Sequence, residues 1–563
     1  MSQRSRFIRI LAEGRTKSIV FCLLIIFLFL ISELMWIQLV RGETLARRAR
    51  DQRIELLCKT PLRGTIYDRN MQVLAGTFFK PAIVIFPELI SDKDNVLKFM
   101  SHISNISMPQ EAALSQFPAQ TCIYIDASKV NLGSPNLKVP DDPGVVIIRE
   151  PVRYDPRGLA AHVIGYLDEQ KISGISGIEK VFDNHLRSGE TGFVASFVDA
   201  RRVPYIGLGV RWLCDSEGTT DVILTIDRKT QEIVEEVMDA RVPRGAVIVM
   251  EPKTGQVLAM ASRPAFSPND VAKALTQPLS PMINRAITPY PAGSILKIVV
   301  AACGLENNIV SLSERFYDPG FIDVGANRFK CYLHESGGHG TLSFLDAMAY
   351  SCNPVFIEVA LGIGGKTLVN FYERLGFGAT TGISLPFEQP GQLPGAYYMS
   401  PSDTANLAIG QGEVSVTPLQ VAALLSVIAN GGELISPKLV LGIKPTEAEA
   451  IQSVKSGVSR RVLSQDTCRQ LTFMLESVTR WGTAKEAWID ELGSCGKTGT
   501  AETGRLDAAG RPICHAWFAG FAPLQDPRFV IVVFVEEGGS GGETAAPIFK
   551  EIAGRLLLQS SHD

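Results

Sequence analysis

A short polar stretch opens the chain. An apolar run, SIVFCLLIIFLFLISELMWIQLV, then fills Ser18–Val40 with Glu33 as its one charge. At ~1.5 Å per residue, a helix of this length crosses the roughly 30 Å of bilayer hydrocarbon. Arg4, Arg6, Arg9, Arg15 and Lys17 precede the run, so the positive-inside rule predicts a cytoplasmic N-terminus and an extracytoplasmic remainder. The run exceeds the apolar segment of a cleaved signal and no small-x-small site follows it, which predicts a retained anchor. Glu33 lies toward the outer end, where it snorkels to the interface or pairs with a partner helix.

Beyond the anchor the pattern changes twice. From Arg41 to about Thr220, short β-rich runs such as PAIVIF (Pro81–Phe86) and TCIYID (Thr121–Asp126) alternate with turns such as PDDPG (Pro140–Gly144). From Asp221 onward, LTID (Leu224–Asp227) leads into a helical stretch, KTQEIVEEVMDA. AVIVMEPKTGQVLAMAS (Ala246–Ser262) then reads as a hairpin about a Pro-Lys-Thr-Gly turn. A long, mostly helical middle is predicted from about Val271 to Glu476. After it come three strands, GSCGKTGTAE (Gly493–Glu502), HAWFAGFAP (His515–Pro523) and RFVIVVFVEE (Arg528–Glu537), and an amphipathic helix, APIFKEIAGRLLL. Helix, two strands, helical insertion, three strands, helix predicts an α/β sandwich: an antiparallel sheet with the terminal helices on one face. The expected organisation is a tail at 1–17, an anchor at 18–40, a mixed α/β N-terminal domain at 41–220 and a second domain at 221–563. No internal repeat stands out.

Composition narrows the classes. The 563 residues are 46% hydrophobic and 20% charged, as in packed globular proteins. Lys+Arg at 55 against Asp+Glu at 58 leave a net charge of -3, so no global basic field points to nucleic acid. Ten cysteines lie scattered without a CxxC pair and read as small buried hydrophobes. Cys331, His334 and His339 are metal-ligand types, but they lack a fourth ligand and a standard spacing, so no metal is predicted.

Three short motifs carry candidate chemistry. In PAGSILKIVV, Ser294 and Lys297 stand three apart at the start of an apolar helix, on one face. A serine hydroxyl needs a base to become a nucleophile, and a desolvated lysine of lowered pKa can serve; the helix N-terminus adds positive potential. Alone, such a pair is most often a capping serine and a solvated lysine. In YSCNP, Ser351 and Asn353 precede a helix opening at Pro354. As a lone triplet this is a cap; in a site, Ser351 relays a proton and the Asn353 amide holds a carbonyl and Lys297. In CGKTGTAE, Lys497, Thr498, Gly499 and Thr500 fall on a predicted strand narrowed by glycine. Its edge can pair with a peptide-like substrate while Lys497 and the threonines hold a carboxylate.

In this order the three form the motif set SxxK, Ser-x-Asn and KTG of penicillin-binding proteins and class A β-lactamases, with Cys352 standing where the triplet commonly has Asp. Wider wording resembles the class B, monofunctional penicillin-binding proteins over nearly the whole chain: RGTIYDRN (Arg63–Asn70), RYDPRGLAAHVIGYL (Arg153–Leu167), GISGIEKVFDNHL (Gly174–Leu186), NRAITPYPAGSILK (Asn284–Lys297) and IGQGEVSVTPLQVA (Ile409–Ala422). The resemblance implies a non-catalytic, dimerisation-type pedestal at 41–220 and a penicillin-binding, serine β-lactamase-like transpeptidase domain at 221–563. The roughly 180 residues between anchor and catalytic part leave no comfortable room for a glycosyltransferase.

The implied reaction is acyl transfer. Ser294, deprotonated by Lys297, attacks the penultimate D-alanine carbonyl of a stem peptide; Ser294 and Thr500 N–H groups steady the oxyanion; Ser351 or Lys297 returns the proton. Lys497, Thr498 and Thr500 hold the donor carboxylate, and an amine of a neighbouring stem resolves the acyl-enzyme. The resemblance implies lipid-linked precursors as substrates, β-lactams as covalent ligands, a membrane glycan polymerase as partner, residence in the bacterial inner membrane, and no cofactor. Division, elongation and sporulation stay open. Two alternatives are a hydrolytic D,D-carboxypeptidase or β-lactamase, using water in place of the amine, and a non-catalytic scaffold for the polymerase.

Overall fold

The computed structural model describes residues 3–51, 54–87, 90–103, 123–126, 139–142, 144–197, 210–213, 219–397, 399–445, 450–454, 457 and 459–559. They divide into two compact units. The first comprises Met1–Thr60, Lys80–Glu150 and Thr191–Asp215, the second Pro61–Phe79, Pro151–Glu190 and Ser216–Asp563.

In the first unit, the N-terminal helix Gln3–Leu39 contains Thr16–Leu39, the one straight helix among the described residues long and apolar enough to cross a membrane. The Arg41 guanidinium lies 4.1 Å from the Trp36 ring centroid, an aromatic and basic pairing of the kind favoured at a membrane interface. Farther along, Ile83 and Ile85 pack with Val96 and Phe99 of helix Lys93–Ile103. Ile123–Asp126 pairs antiparallel with Ala82–Ile85; Thr121, Cys122 and Pro143 of the predicted strand and turn lie outside the described residues. The buried Asp142 carboxylate accepts the Ser91, Asp92 and Gly144 N–H groups, which satisfies donors a turn would otherwise leave unpaired.

The second unit follows the predicted order. Helix α1 (Arg228–Arg241) starts where the Asp227 carboxylate accepts the Thr230 N–H at 2.8 Å. Strands β1 (Gly245–Met250) and β2 (Val257–Arg263) form the hairpin. Helices α2 (Lys297–Glu306), α3 (Phe344–Ala349), α4 (Asn353–Ile363), α5 (Pro418–Ala429) and α6 (Gln465–Arg480) come next. Strands β3 (Cys495–Leu506), β4 (Pro512–Ala522) and β5 (Phe529–Val535) and helix α7 (Ala546–Gln559) close the unit. The sheet order is β2-β1-β5-β4-β3, antiparallel throughout. Every residue of β1 and β2 is buried, so both sheet faces are covered, with α1 and α7 packed together and α5 packed on β1, β4 and β5.

The middle is less helical than its pattern predicts. Arg315–Asp318 pairs with Gly340–Ser343 and Phe321–Val324 with Asn327–Lys330, two small antiparallel ribbons. Glycines at positive φ punctuate them, Gly320 at +94° and Gly325 at +61°, where a helix cannot continue. Val440–Pro445 leaves the helical part altogether and pairs with Thr220–Leu224.

The N-terminal segments of this unit meet in one buried ionic knot. Glu179 has no exposure and faces Arg63 at 2.9 Å and Arg153 at 2.8 Å; Arg63 also reaches Asp183 at 2.8 Å. Arg153 donates to the Gly64 carbonyl and Arg63 to that of Ile172. The three sequence segments around Arg63, Arg153 and Glu179 thus interlock through charges that burial makes mutually dependent.

Candidate active site

Ser294 and Lys297 flank the end of a single 3-10 turn, Gly293–Leu296, that runs directly into α2. Every residue of α2 from Lys297 to Leu305 is buried, which explains its apolar character on all sides. The turn is held against β3 at very short range. A Cβ on Gly499 would stand 2.5 Å from the Ala292 carbonyl, and one on Gly293, at φ +54°, would stand 2.6 Å from that of Thr500. From the neighbouring strand β4, the Trp517 Nε1–H donates to the Pro291 carbonyl at 3.0 Å. Gly293 N–H donates to Gly410 O, and Tyr290 exchanges both backbone hydrogen bonds with Val416, so the segment IGQGEVSV braces the turn that carries Ser294.

Lys297 is fully buried, and its ammonium donates to Ser351 O at 2.6 Å, Asn353 Oδ1 at 2.6 Å and Ser351 Oγ at 3.2 Å. Lys497, also fully buried, donates to the same Ser351 Oγ at 2.9 Å and to Thr498 O at 3.2 Å. Five of the predicted residues, Lys297, Ser351, Asn353, Lys497 and Thr498, from three separate motifs therefore share one hydrogen-bond network. Ser294 is half-buried and its hydroxyl makes no hydrogen bond among the described residues. Catalytic hydrogen bonds commonly tighten only once substrate is bound.

Local structure fixes the triplet. Ser343 and Asp346 form a capping box that starts α3; α3 ends at Ala349, and Ser351 turns the chain at φ +57°, a conformation costly for a residue with a Cβ. Pro354 then occupies the first turn of α4. The Asn353 amide is oriented at both ends, because its Nδ2 donates to the Lys330 carbonyl at 3.0 Å.

Electrostatics favour proton transfer. Burial pushes the Lys297 ammonium down to about 7, and burial together with the neighbouring Lys297 charge pushes Lys497 well below its ordinary value. A lysine that titrates near neutrality can accept a proton as well as hold one. Thr498 and Thr500 share a face of β3 by its two-residue period. Thr498 Oγ1 lies 3.0 Å from Thr483 Oγ1, and Thr500 Oγ1 accepts the Gly541 N–H at 3.3 Å. Thr483 and Lys330 escape sequence reasoning, since nothing local marks a residue whose role is to orient another.

Beside the triplet lies a second cluster. Asp318, Cys331, His339 and Cys352 each bring one O, S or N atom within 4.8 Å of all the others. His334, a metal-ligand type in the sequence, stands outside it with its Nδ1 at 3.1 Å from the Gly320 carbonyl. The set joins residues 34 positions apart, which is why residues 331–339 alone offered no fourth ligand.

The family described as Penicillin binding protein transpeptidase domain matches residues 245–554, and the Penicillin-binding Protein dimerisation domain matches 59–205. Among curated relatives, Stage V sporulation protein D of Bacillus subtilis is 32% identical over 95% of this chain and 84% of its own. Peptidoglycan D,D-transpeptidase MrdA of Acinetobacter baumannii is 27% identical over 95% of this chain and 87% of its own. The fold is that of penicillin-binding protein 3 from Mycobacterium tuberculosis in its aztreonam complex (TM-score 0.65, 24% identity, 90% of this chain, 97% of that one). It is shared by the penicillin-binding protein 2 of Helicobacter pylori solved with MreC (TM-score 0.64, 24% identity, 90% and 99%).

Proposed function

The chain belongs to the class B penicillin-binding proteins, peptidoglycan D,D-transpeptidases of cell-wall synthesis, and from that premise we propose that Ser294 is the acylated nucleophile, that Lys297, Ser351 and Lys497 are its proton-handling partners, and that the Asn353 amide holds Lys297 and the substrate carbonyl. The observation that carries the reading is the Ser351 hydroxyl, reached by both lysines at once.

The steps follow from these positions. Neutral Lys297 takes the Ser294 proton as Oγ forms a bond to the penultimate D-alanine carbonyl. The Ser294 and Thr500 N–H groups stabilise the oxyanion. As the C–N bond breaks, the leaving D-alanine amine receives its proton through Ser351, which the two lysines resupply. An acceptor amine then attacks the acyl-enzyme, restoring Ser294 and forming the cross-link. Lys497, Thr498 and Thr500 hold the terminal carboxylate of the donor, and Gly499 keeps the strand flat beneath it. A β-lactam presents a carbonyl and a carboxylate in the same relation and acylates the same serine.

The arginines and lysine before the apolar helix support an N-terminus in the cytoplasm and a catalytic unit outside. The anchor and pedestal are the surfaces for a membrane glycan polymerase, and the substrate is a lipid-linked or nascent stem peptide. Intact-protein mass spectrometry after incubation with a penicillin tests the assignment. One stable adduct on the parent chain and none on Ser294→Ala is expected. Turnover of the drug without accumulation would point to a hydrolase, and a folded protein with no adduct to a scaffold.

A further inference from the structure

Away from the residues around Ser351, the second unit encloses a cavity of about 210 Å³. Phe266, Met282, Ile287 and Leu385 wall it, and the exposed Ile283 and Phe387 mark its mouth. His162 lines it from the stretch between Arg153 and Glu179. No Asp, Glu, Lys or Arg side chain is part of the lining among the described residues, so a charged ligand would give up its hydration there with no counter-charge to replace it.

His162 supplies the polar feature. It keeps only 8% exposure, and its Nε2 lies 2.7 Å from the Pro281 carbonyl. A carbonyl only accepts, so Nε2 carries the proton. Burial, with the Arg263 and Arg285 charges, holds the imidazole down to about 4, which leaves the ring neutral near pH 7 and Nδ1 a bare lone pair. Nδ1 has no hydrogen-bond partner among the described residues, yet it is not sealed in; in a residue this buried, the cavity is the space it opens to. The Phe266 ring packs against the imidazole edge to face at 5.0 Å and fixes its plane.

We propose that this cavity binds a small uncharged aromatic ring carrying one N–H or O–H donor, held by a hydrogen bond to His162 and felt by the segment that leads into Ser294. An apolar cavity of about 150 Å³ takes one benzene, so about 210 Å³ admits a ring with a fused or attached group. Phe266 and Phe387 favour an aromatic guest through edge and face contacts. The bare acceptor selects for a donor, because a guest that covers Nδ1 without bonding it strands a buried polar group.

The mouth is built at a conformational cost. Phe387 sits at φ +66°, a region that bulky side chains rarely occupy. Its loop is pinned by Glu388, which accepts the Thr381 N–H at 2.8 Å and the Gly382 N–H at 3.1 Å. The Lys180 ammonium lies 4.3 Å from the Phe387 ring centroid. Strain retained in this way holds a phenyl ring at the entrance of a cavity, where placement matters for a ligand.

The cavity also touches the approach to Ser294. Ile287 and Thr288 belong to its lining, the Ile287 carbonyl accepts the Gln389 N–H at 3.2 Å, and Tyr290 beyond them pairs with Val416. A ring packed on Ile287 therefore stabilises the turn Arg285–Ile287 and the chain that follows it. This coupling rests on the reading of Ser294 as the nucleophile; ring binding does not, and the two are measured separately.

The test uses the full chain in detergent, with protein-free micelles as the reference for partitioning. Indole is the probe, and benzofuran, which has an ether oxygen in place of the N–H, is its isostere. Calorimetric titration is expected to show about one indole per chain, with benzofuran weaker on the order of tenfold. Ile283→Trp, which fills the mouth from an exposed position, should abolish indole binding at the parent melting temperature, and His162→Phe should lower indole to the benzofuran affinity. Where His162→Phe fails to fold, the indole and benzofuran pair tests the same hydrogen bond in the parent chain. N-acetyltryptophanamide, the same ring on a capped peptide unit, separates the sources of such a ring: its exclusion assigns a free small molecule, and indole-like binding a side chain delivered by a polypeptide. With indole bound, amide exchange over 285–290 should slow and penicillin acylation should rise by about fivefold, the low end of ordinary coupling between sites. No indole bound by the folded parent chain, equal affinity for indole and benzofuran, or undiminished binding in Ile283→Trp would each overturn the site. Binding that leaves both exchange and acylation unchanged would overturn the coupling.

Discussion

Lys297 and Lys497 direct their ammonium nitrogens at one oxygen, the Ser351 hydroxyl, from 3.2 and 2.9 Å. No carboxylate pairs with either among the described residues. Two unit charges at about 6 Å repel by about 3 kcal/mol at an effective dielectric constant near 20, equivalent to about two pH units on one lysine, and burial lowers both lysines in the same direction. The first prediction concerns pH. Burial lowers Lys297 from 10.5 to about 7, and in the proposed mechanism the neutral amine is the form that accepts the Ser294 proton. Penicillin acylation should therefore rise with pH, about tenfold per unit below 7, and level off above it. Rapid-mixing measurement of the acylation rate across this range checks it. A rate still climbing steeply beyond about pH 9 would mean that the base is an ordinary lysine or another group.

The shared hydroxyl makes a second prediction. Coulombic coupling is reciprocal, so removing the Lys497 charge should make Lys297 easier to protonate. Lys497→Met is expected to move the midpoint of the acylation profile upward in pH, besides weakening binding of the drug carboxylate. Ser351→Ala leaves both lysines short of an acceptor and breaks the proton relay, and should slow acylation by about 10²–10⁴-fold with the fold intact by circular dichroism. An unmoved midpoint in Lys497→Met would show that the two lysines do not sense each other.

What the sequence discloses about this site is the set of residues to which the proposed chemistry is assigned. Ser294, Lys297, Ser351, Asn353 and Lys497 are legible because each motif is local and their order along the chain is informative. The supports are not. Lys330 orients Asn353 with a backbone carbonyl, which any residue at that position supplies, and Thr483 meets Thr498 through a hydroxyl contact that carries no periodicity. The five-stranded sheet and its order of elements follow the apolar runs, whereas the ribbons of 315–343 escape because four-residue strands are too short to show a period. Asp318 is the clearest case. It is a single acidic residue at a strand end, and only the folded chain brings it to Cys352.

A third prediction tests the close approach of the Ser294 turn to β3. Gly499→Ala would push a methyl group to 2.5 Å from the Ala292 carbonyl, an atom of the backbone that cannot step aside. The turn carrying Ser294 must then shift by several tenths of an ångström. Misplacement on that scale costs catalysis far more than stability, and acylation should fall by about 10²-fold while the melting temperature drops only a few degrees. Comparing rate and melting temperature for the parent and the variant separates the two effects. A variant that acylates at the parent rate would show that the strand and turn are not in register contact.

The last prediction lies away from the chemistry. Glu179 is fully buried between Arg63 and Arg153, whose side chains retain 1% and 11% exposure. Glu179→Ala would leave two arginines facing each other without their carboxylate, and breaking a buried ion pair costs about 3–5 kcal/mol. Arg63 keeps Asp183 at 2.8 Å, which offsets part of the loss and puts the expected cost toward the lower end. The variant should melt at a clearly lower temperature and yet, where folded, acylate with the parent rate constant, because the knot touches none of the residues around Ser351. Thermal unfolding read beside the acylation rate at a temperature well below melting decides it. A parent-like melting temperature would mean that water enters and replaces the carboxylate, and a selective loss of acylation would mean that this knot communicates with the catalytic sheet.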